Sequence, residues 1–232
     1  KIYLDECMNQ FKNWQKNNPL CYGINWTSTM EVSLRAVNLI VLLNILSQSK
    51  DFPESDKKLL IGTIIEHGFF IINNLEIGIG PCGLIAGNHY LANISALFII
   101  GVSFEGVNDL KIWRKSGKKS IEDSIKWMVN NDGFYFESST NYHRFALELF
   151  LYPYIFGKIN HQKFSSNYQR KLQMMADIIM YLNTPGNTIP QIGDNDCGRY
   201  LILNNYFNWD SNDHRYLLSI CSIIFKRGDY KH

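Results

Sequence analysis

The chain has 232 residues, of which 46% are apolar and 19% are charged, so it is long enough for one large domain or two small ones around a sizeable core. The formal net charge is only +2, and the basic residues are spread out apart from the run at 111–119, which we expect to form the solvated face of a helix. This balance excludes a broad phosphate-binding surface, so nucleic acid is not an expected partner.

The cysteines and the apolar stretches exclude further classes. The five cysteines show neither a C-x-x-C pair nor a histidine spacing typical of zinc, so no metal or cofactor requirement is indicated, and their odd number argues against a complete disulfide framework. The longest apolar stretch, residues 37–46, is interrupted by Asn38 and Asn44 and is too short to cross a bilayer, so no membrane span is predicted. We expect a periplasmic or secreted protein if a signal peptide was removed, and a cytoplasmic one otherwise.

Helical spacing of apolar residues recurs from end to end, and strand-like alternation is scarce. Breakers such as Asn18-Pro19 and Phe52-Pro53 separate the helical segments. The pattern predicts helices over residues 2–17, 28–48, 55–77, 89–104, 107–130, 140–158, 164–183 and 212–226.

Two of the predicted helices differ in how their apolar residues are arranged. Segment 28–48 carries two apolar stripes, which begin at Met30 and Val32, as expected for a helix enclosed between neighbours. Segment 107–130 instead carries one stripe among lysines and acids, formed by Leu110, Trp113, Ile121, Ile125 and Met128. Alternating enclosed and half-exposed helices predict an all-α fold, in which antiparallel helix pairs curve into an incomplete α/α toroid or barrel as a single domain over residues 1–232.

Polar side chains gather in four stretches where a predicted helix starts or a loop ends. In a curved helical layer such ends face one rim, where ligand-binding residues can converge. The candidate site residues are Asn25, Trp26, Glu31, Arg35, Asn88, His89, Glu137, Tyr142, His143, Arg144, Asp194, Asp196 and Arg199.

Structural roles explain several of these residues as well as functional ones do. Glu31 and Arg35 are four residues apart on one helix face, so they could form a plain ion pair. Asp194 lies among glycines, where the hydrogen bonds of an Asx turn would account for it. The Ser-Ser-Thr run at 138–140 could cap the helix that follows, and His143 could be a satisfied core histidine.

Taken together, four stretches resemble the helical toroid domain of the heparinase II/III-like polysaccharide lyases. They appear in the family's order, span residues 23 to about 203, and read GINWTSTMEVSLRAVNLI, GNHYLANISALFIIG, DGFYFESSTNYHRFALE and PQIGDNDCGRYLIL. An Asn-His pair begins one predicted helix, and a Tyr-His pair begins another 54 residues later. The resemblance implies β-elimination on a polysaccharide that contains a uronic acid.

The resemblance also implies catalytic roles. Asn88 matches the family residue that neutralises the uronate carboxylate, and its amide can donate two N–H groups without being protonated. Tyr142 matches the tyrosine base or acid, whose pKa near 10 permits ionisation only where neighbours stabilise the phenolate. His89, His143 and Arg144 are the nearby groups able to do so. His89 could also hold the uronate or protonate the leaving group.

The sequence departs from the family in one respect, and two alternative functions stay open. The family's lyases carry a β-sandwich after the toroid that contributes another histidine to the cleft, so we expect a longer protein in which such a domain completes the site. A glycoside hydrolase on a similar α/α barrel would instead use Glu137 with Asp194 or Asp196. A non-catalytic module could hold an acidic glycan on aromatic residues such as Trp26. For the lyase, the expected partner is an acidic polysaccharide whose identity no motif fixes.

Overall fold

The computed structural model describes residues 1–80, 83–195, 198–201, 203 and 210–231, so candidate Asp196 lies outside the described residues. Within this part of the chain all eight predicted helices are present, and the all-α class is confirmed. They are α1 Ile2–Asn17, α2 Thr29–Leu46, α3 Glu54–Asn73, α4 Asn88–Ser103, α5 Lys111–Met128, α6 Thr140–Ile159, α7 Ser166–Leu182 and α8 Arg215–Phe225. A short antiparallel hairpin, β1 Gly78–Gly80 and β2 Gly83–Ile85, precedes α4.

The end of α3 differs most from the predicted boundaries. The apolar rhythm continues to residue 77, whereas the helix ends at Asn73, with Asn74 as its C-terminal cap. Beyond it, the backbone N–H of Glu76 donates to Oδ1 of Asn93 at 2.8 Å. A side chain of another helix therefore accepts the hydrogen bond of this backbone N–H. Had α3 continued, a carbonyl of the same helix would have accepted it.

Helix α2 is a core helix of its part of the chain. Val32, Ala36 and Ile40 are fully buried, and the helix packs against α3 and α4. The stripe that begins at Met30 is less enclosed than predicted, because Ile45 is 58% exposed. By length and composition α2 is also apolar enough to cross a membrane, a test that a buried core helix passes equally.

Helix α5 has the predicted amphipathic arrangement. The side chains of its apolar stripe are all at most 4% exposed, while its lysines and acids face solvent or pair with one another. Trp113 packs so closely on α3 that a Cβ at Gly68 would clash with the indole ring. Glycine at this position therefore permits the approach of the two helices.

The contacts divide the chain into two compact units, residues 1–114 and 115–232. In the first, α2, α3 and α4 pack against one another, and α4 is buried along most of its length. In the second, α7 packs against α6 and α8, and α6 is the most buried helix. The boundary falls inside α5, and the expectation of one domain over residues 1–232 stays a prediction.

Candidate functional site

The first unit places Asn88 and His89 at the start of α4, directly after the hairpin. Asn88 is 7% exposed, and its side-chain amide makes no hydrogen bond within the described part of the chain. The His89 side chain is half exposed, and its Nδ1 lies 3.0 Å from Oε1 of Glu76. Because an ionised carboxylate only accepts hydrogen bonds, His89 carries a proton on Nδ1 and leaves Nε2 to meet a ligand.

Glu76 is a candidate that the sequence patterns did not single out. Its Oε2 accepts from the backbone N–H of Met30 at 2.7 Å and from Nδ2 of Asn93 at 3.3 Å. Ser28 precedes α2 without capping it through its side chain, so the carboxylate of Glu76 satisfies the start of that helix from a distant segment. Its sequence signal was slight, a single acid in the otherwise apolar run LEIGIG.

Arg35 lies between two indole rings in the first unit. Its guanidinium carbon is 4.9 Å from the ring centroid of Trp14 and 5.1 Å from that of Trp26, which is itself buried. The guanidinium also donates to Nε2 of His67 and to the carbonyl of Asn25, each at 2.9 Å. Burial is the main cause that lowers the pKa of Arg35 to about 10, so the group stays charged at neutral pH.

His67 supports Arg35 without neutralising it. Its Nδ1 lies 2.7 Å from the carbonyl of Thr63 and donates to it, so Nε2 is the nitrogen that accepts from Arg35. Burial, followed by the charge of Arg35, lowers the pKa of His67 to about 4. Glu31 is exposed, and although its charge raises the pKa of Arg35, the two described residues form no ion pair. Arg35 is therefore a fixed cation, and none of the described carboxylates is bonded to it.

The second unit places Tyr142 in the first turn of α6, where its side chain is partly exposed. Ser139 caps this helix, as the Ser-Ser-Thr run suggested: its Oγ accepts from the N–H of Tyr142 at 3.2 Å and donates to the carbonyl of Asp194 at 2.6 Å. The N–H of Thr140 donates to the carbonyl of Ile192 at 3.0 Å. These bonds anchor the loop around Asp194 at the start of α6.

The carboxylates of the hydrolase alternative lie near the surface where they are described. Glu137 is exposed and accepts a hydrogen bond from the hydroxyl of Tyr135 at 3.3 Å. The Asp194 side chain is exposed, and its backbone carbonyl is the atom that Ser139 binds. Neither carboxylate is enclosed in the way that keeps a general acid protonated.

His143 lies in the interior of the second unit. It is 1% exposed, and its Nδ1 accepts from the N–H of Tyr135 at 3.1 Å while its Nε2 donates to the carbonyl of Met175 at 2.9 Å. Burial is the largest effect on its pKa, which falls to about 4. A neutral imidazole with both nitrogens bonded to protein fits the core-histidine interpretation. Substrate contact by His143 stays a prediction that this burial disfavours.

Arg144 is also internal. Its side chain and that of Glu148 are both 0% exposed, with Arg144 Nη1 3.0 Å from Glu148 Oε1 and Nη2 2.7 Å from the carbonyl of Gly198. The hydroxyl of Tyr216 donates to the same carboxylate, and Nε of Arg199 lies 3.9 Å from it. Substrate contact by Arg144 and Arg199 likewise stays a prediction, because these side chains are enclosed and share one buried carboxylate.

The candidate residues thus form separate groups in the two units. The first unit brings Asn88 and His89 together at one helix start and joins Asn25, Trp26 and Arg35 in another cluster. The second unit presents Tyr142 beside the Asp194 loop. Across residues 1–80, 83–195, 198–201, 203 and 210–231, no three His, Cys, Asp or Glu side chains gather in a way that could hold a metal ion.

The family described as heparinase II/III N-terminus matches residues 1–212. The chain therefore belongs to the heparinase II/III family, of which it contains the N-terminal helical region. This membership confirms the resemblance drawn from the four sequence stretches.

Curated relatives and solved structures agree with this family. The chain is 26% identical to the heparin-sulfate lyase of Pedobacter heparinus over 200 residues, which cover 83% of this chain and 29% of the relative. It is 29% identical to the heparin-sulfate lyase of Bacteroides stercoris over 149 residues, covering 60% of this chain and 22% of the relative. The crystal structure of heparan sulfate lyase from Pedobacter heparinus has the same fold, with a TM-score of 0.68 and 22% identity over 97% of this chain and 33% of that one.

Proposed function

We propose that this chain forms the helical part of a polysaccharide lyase that cleaves a uronic-acid-containing polysaccharide by β-elimination. Family membership supports the reaction class, and both curated relatives carry the name heparin-sulfate lyase. Because the chain spans less than a third of either relative, the activity belongs to the whole protein. Heparan sulfate is the first polymer to test.

The reaction has two chemical requirements. The C5 proton lies alpha to the uronate carboxylate and is only weakly acidic, so charge on the carboxylate must be neutralised while the anion forms. A base must then remove this proton as the double bond forms between C4 and C5, and the electron pair of the broken C4–O bond leaves with the glycosidic oxygen, which takes a proton from an acid.

Asn88 meets the first requirement in this proposal. The observation that carries it is the contrast within the first unit between Asn88 and its polar neighbours. Glu76, His89 and Asn93 are bonded to one another or to the backbone, whereas the Asn88 amide has no bond to the described residues. Its two N–H donors are therefore available to the uronate carboxylate.

Tyr142 is proposed as the base that takes the C5 proton, and as the acid that returns a proton to the leaving oxygen. Its place in the first turn of α6 supports this role, because the cap at Ser139 and the anchored Asp194 loop fix the backbone that carries the phenol. A catalytic group held on a fixed helix end keeps its geometry when substrate binds.

His89 is proposed to contact the saccharide through Nε2. Glu76 holds the ring by its Nδ1, and Glu76 itself is fixed by Met30 and Asn93. The imidazole therefore has one defined orientation, and Glu76 acts as its positioning residue. Asn25, Trp26 and Arg35 are proposed to bind the substrate elsewhere on the first unit, with Arg35 supplying the cation.

The test is an assay of the full-length protein against a panel of uronate polysaccharides, following the ultraviolet absorbance of the unsaturated product. We expect product from at least one polymer and a loss of about 10²–10⁴-fold with Tyr142→Phe, since the variant keeps the ring and removes the proton-transfer group. Tyr181→Phe is the matched control, because that phenol is 78% exposed on α7. Cleavage without absorbance would instead indicate hydrolysis, and binding without cleavage would indicate a carbohydrate-binding module.

A further inference from the structure

A pocket lies in the second unit, at the connection between α6 and α7. Its volume is about 320 Å³, and three basic side chains line it, Lys158, His161 and Lys163. No Asp or Glu is among the described residues that line it. Lys158 follows Tyr142 by 16 residues on α6, which corresponds to about 24 Å along the helix axis, so the pocket is separate from the proposed base.

The positive charges of Lys158 and Lys163 are not paired with any carboxylate of the described residues. Neither Lys158 nor Lys163 forms an ion pair within the described part of the chain, and both are exposed. Lysines near a helix end often bind its last carbonyls, but here backbone N–H groups already do so. The backbone N–H of Asn160 donates to the carbonyl of Phe156. Those of His161 and Gln162 donate to the carbonyls of Lys158 and Gly157.

His161 occupies a backbone position that normally selects another residue. The bonds from 161 to 158 and from 162 to 157 form a Schellman motif, in which the residue after the cap adopts the left-handed conformation. His161 has φ of 57°, where glycine or asparagine is usual. The bonds of this turn involve the backbone of residue 161, and the exposed ring of His161 lines the pocket together with Lys158 and Lys163.

Two aromatic side chains also line the pocket, and we call them its floor. Tyr154 and Phe164 are 8% and 6% exposed, and their ring centroids are 5.8 Å apart. A pocket with an apolar floor and a few polar groups at its rim suits a ring-shaped ligand that carries charged substituents. A sulfated or carboxylated sugar has both features, since its C–H face is apolar and its substituents are anionic.

We propose that this pocket is a second, non-catalytic binding site for one anionic sugar residue. Lys158 and Lys163 bind the sulfate or carboxylate, His161 donates a further hydrogen bond, and the aromatic floor contacts the ring. The choice of an acidic saccharide as ligand rests on the proposed lyase function, whereas the site itself rests on the pocket, its unpaired cations and the conformation of His161.

The experiment titrates the chain carrying Tyr142→Phe with a sulfated heparin-derived disaccharide, which is too short to reach from the pocket to residue 142, and follows backbone amides by NMR. We expect the amides of residues 158–164 to shift. Lys158→Gln with Lys163→Gln should weaken this binding by about tenfold or more. The control Lys50→Gln with Lys58→Gln removes the same charge from exposed lysines of the first unit.

His161→Gly separates a ligand role from a structural one. Glycine fits the left-handed position better, so the variant should keep or raise the melting temperature while weakening disaccharide binding. Unchanged binding in His161→Gly and in the double lysine variant would overturn the proposal. Equal shifts with inorganic sulfate at the same concentration would overturn the saccharide assignment. Product absorbance is measured separately, on the full-length protein with uronate polysaccharides. Disaccharide binding in this pocket without any unsaturated product would therefore refute the lyase function and leave the binding site standing.

Discussion

Arg35 in the first unit and Arg144 in the second were predicted to bind the same substrate, but their surroundings differ in charge. Arg35 is partly exposed between two indoles and donates to a neutral histidine and a carbonyl, and no carboxylate among the described residues is bonded to it. Arg144 is fully buried and bonded to the carboxylate of Glu148. An arginine close to candidate site residues in sequence is therefore a ligand candidate only where no protein carboxylate is already bonded to it.

The largest expected effect that tests this comparison is a loss of stability when Glu148 is replaced. Glu148→Ala leaves Arg144 buried without its carboxylate and removes an acceptor from Tyr216, which should lower the free energy of unfolding by about 3–5 kcal/mol. Urea denaturation measures the change. Asp123→Ala removes an exposed carboxylate that pairs with Lys126, and should leave the midpoint unchanged. Equal midpoints for both variants would show that the buried pair is not structural.

The buried histidines give the next largest effect, through pH. The pKa of His67 in the first unit falls to about 4, and those of His143 and His214 in the second fall to about 4 and about 3, with burial the largest cause in each. The unfolded chain binds more protons between these values and about 6.5, so stability is full above pH 6.5 and is lost as the pH falls toward 4.

His67 alone should contribute about 3 kcal/mol of this loss. Denaturation at several pH values measures the slope, and His67→Gln should flatten it, whereas His161→Gln, at an exposed position, should not. NMR of the His67 ring provides a direct check, since the imidazole should remain neutral at pH 6. A His67 ring that titrates near 6.5 would contradict its role as a buried, neutral acceptor for Arg35.

Arg35 itself should show a smaller effect, on binding. Arg35→Gln removes the cation and should weaken binding of a uronate oligosaccharide about tenfold, because a charged hydrogen bond is lost. Arg35→Lys keeps the charge but not the two-donor geometry, so it should recover only part of the affinity. Calorimetry measures both, with the exposed Arg170→Gln as control. Wild-type affinity in Arg35→Gln would remove this residue from the proposed site.

The smallest effect concerns the helix start that carries Tyr142. Ser139→Ala removes the cap of α6 and should cost about 1 kcal/mol, measured by denaturation. Ser165→Ala removes a cap of the same 3.2 Å geometry from α7, but Ser165 is not the residue that binds the Asp194 loop. The excess loss in Ser139→Ala therefore measures how firmly that loop is held. If the two variants lose the same stability, the loop bond contributes nothing.

The helices could be predicted from sequence because their determinants are local. Apolar spacing and the breakers placed α1 through α8 within a few residues, and the single stripe of α5 identified its buried side. The end of α3 could not be predicted, since Asn93, which binds the segment that follows the helix, is distant in sequence. Strands β1 and β2 are short and rich in glycine, so they carry little periodic signal.

The site residues were harder to predict because burial depends on tertiary packing. His143 and Arg144 stand beside Tyr142 in sequence, yet both point into the core, as neighbours on a helix can. Glu76 and His67 were missed because neither belongs to a recognisable motif and the partner of each lies far along the chain. Family resemblance identified Asn88 and Tyr142 as candidates, and their joint role stays a proposal.

The most direct test of the central proposal is a crystal structure of the full-length protein carrying Tyr142→Phe with a bound uronate oligosaccharide. We expect the carboxylate of one uronate within hydrogen-bond distance of Asn88 Nδ2, with C5 of the same sugar facing the ring at position 142. An oligosaccharide that contacts only one of these two residues, or neither, would contradict the proposed elimination site.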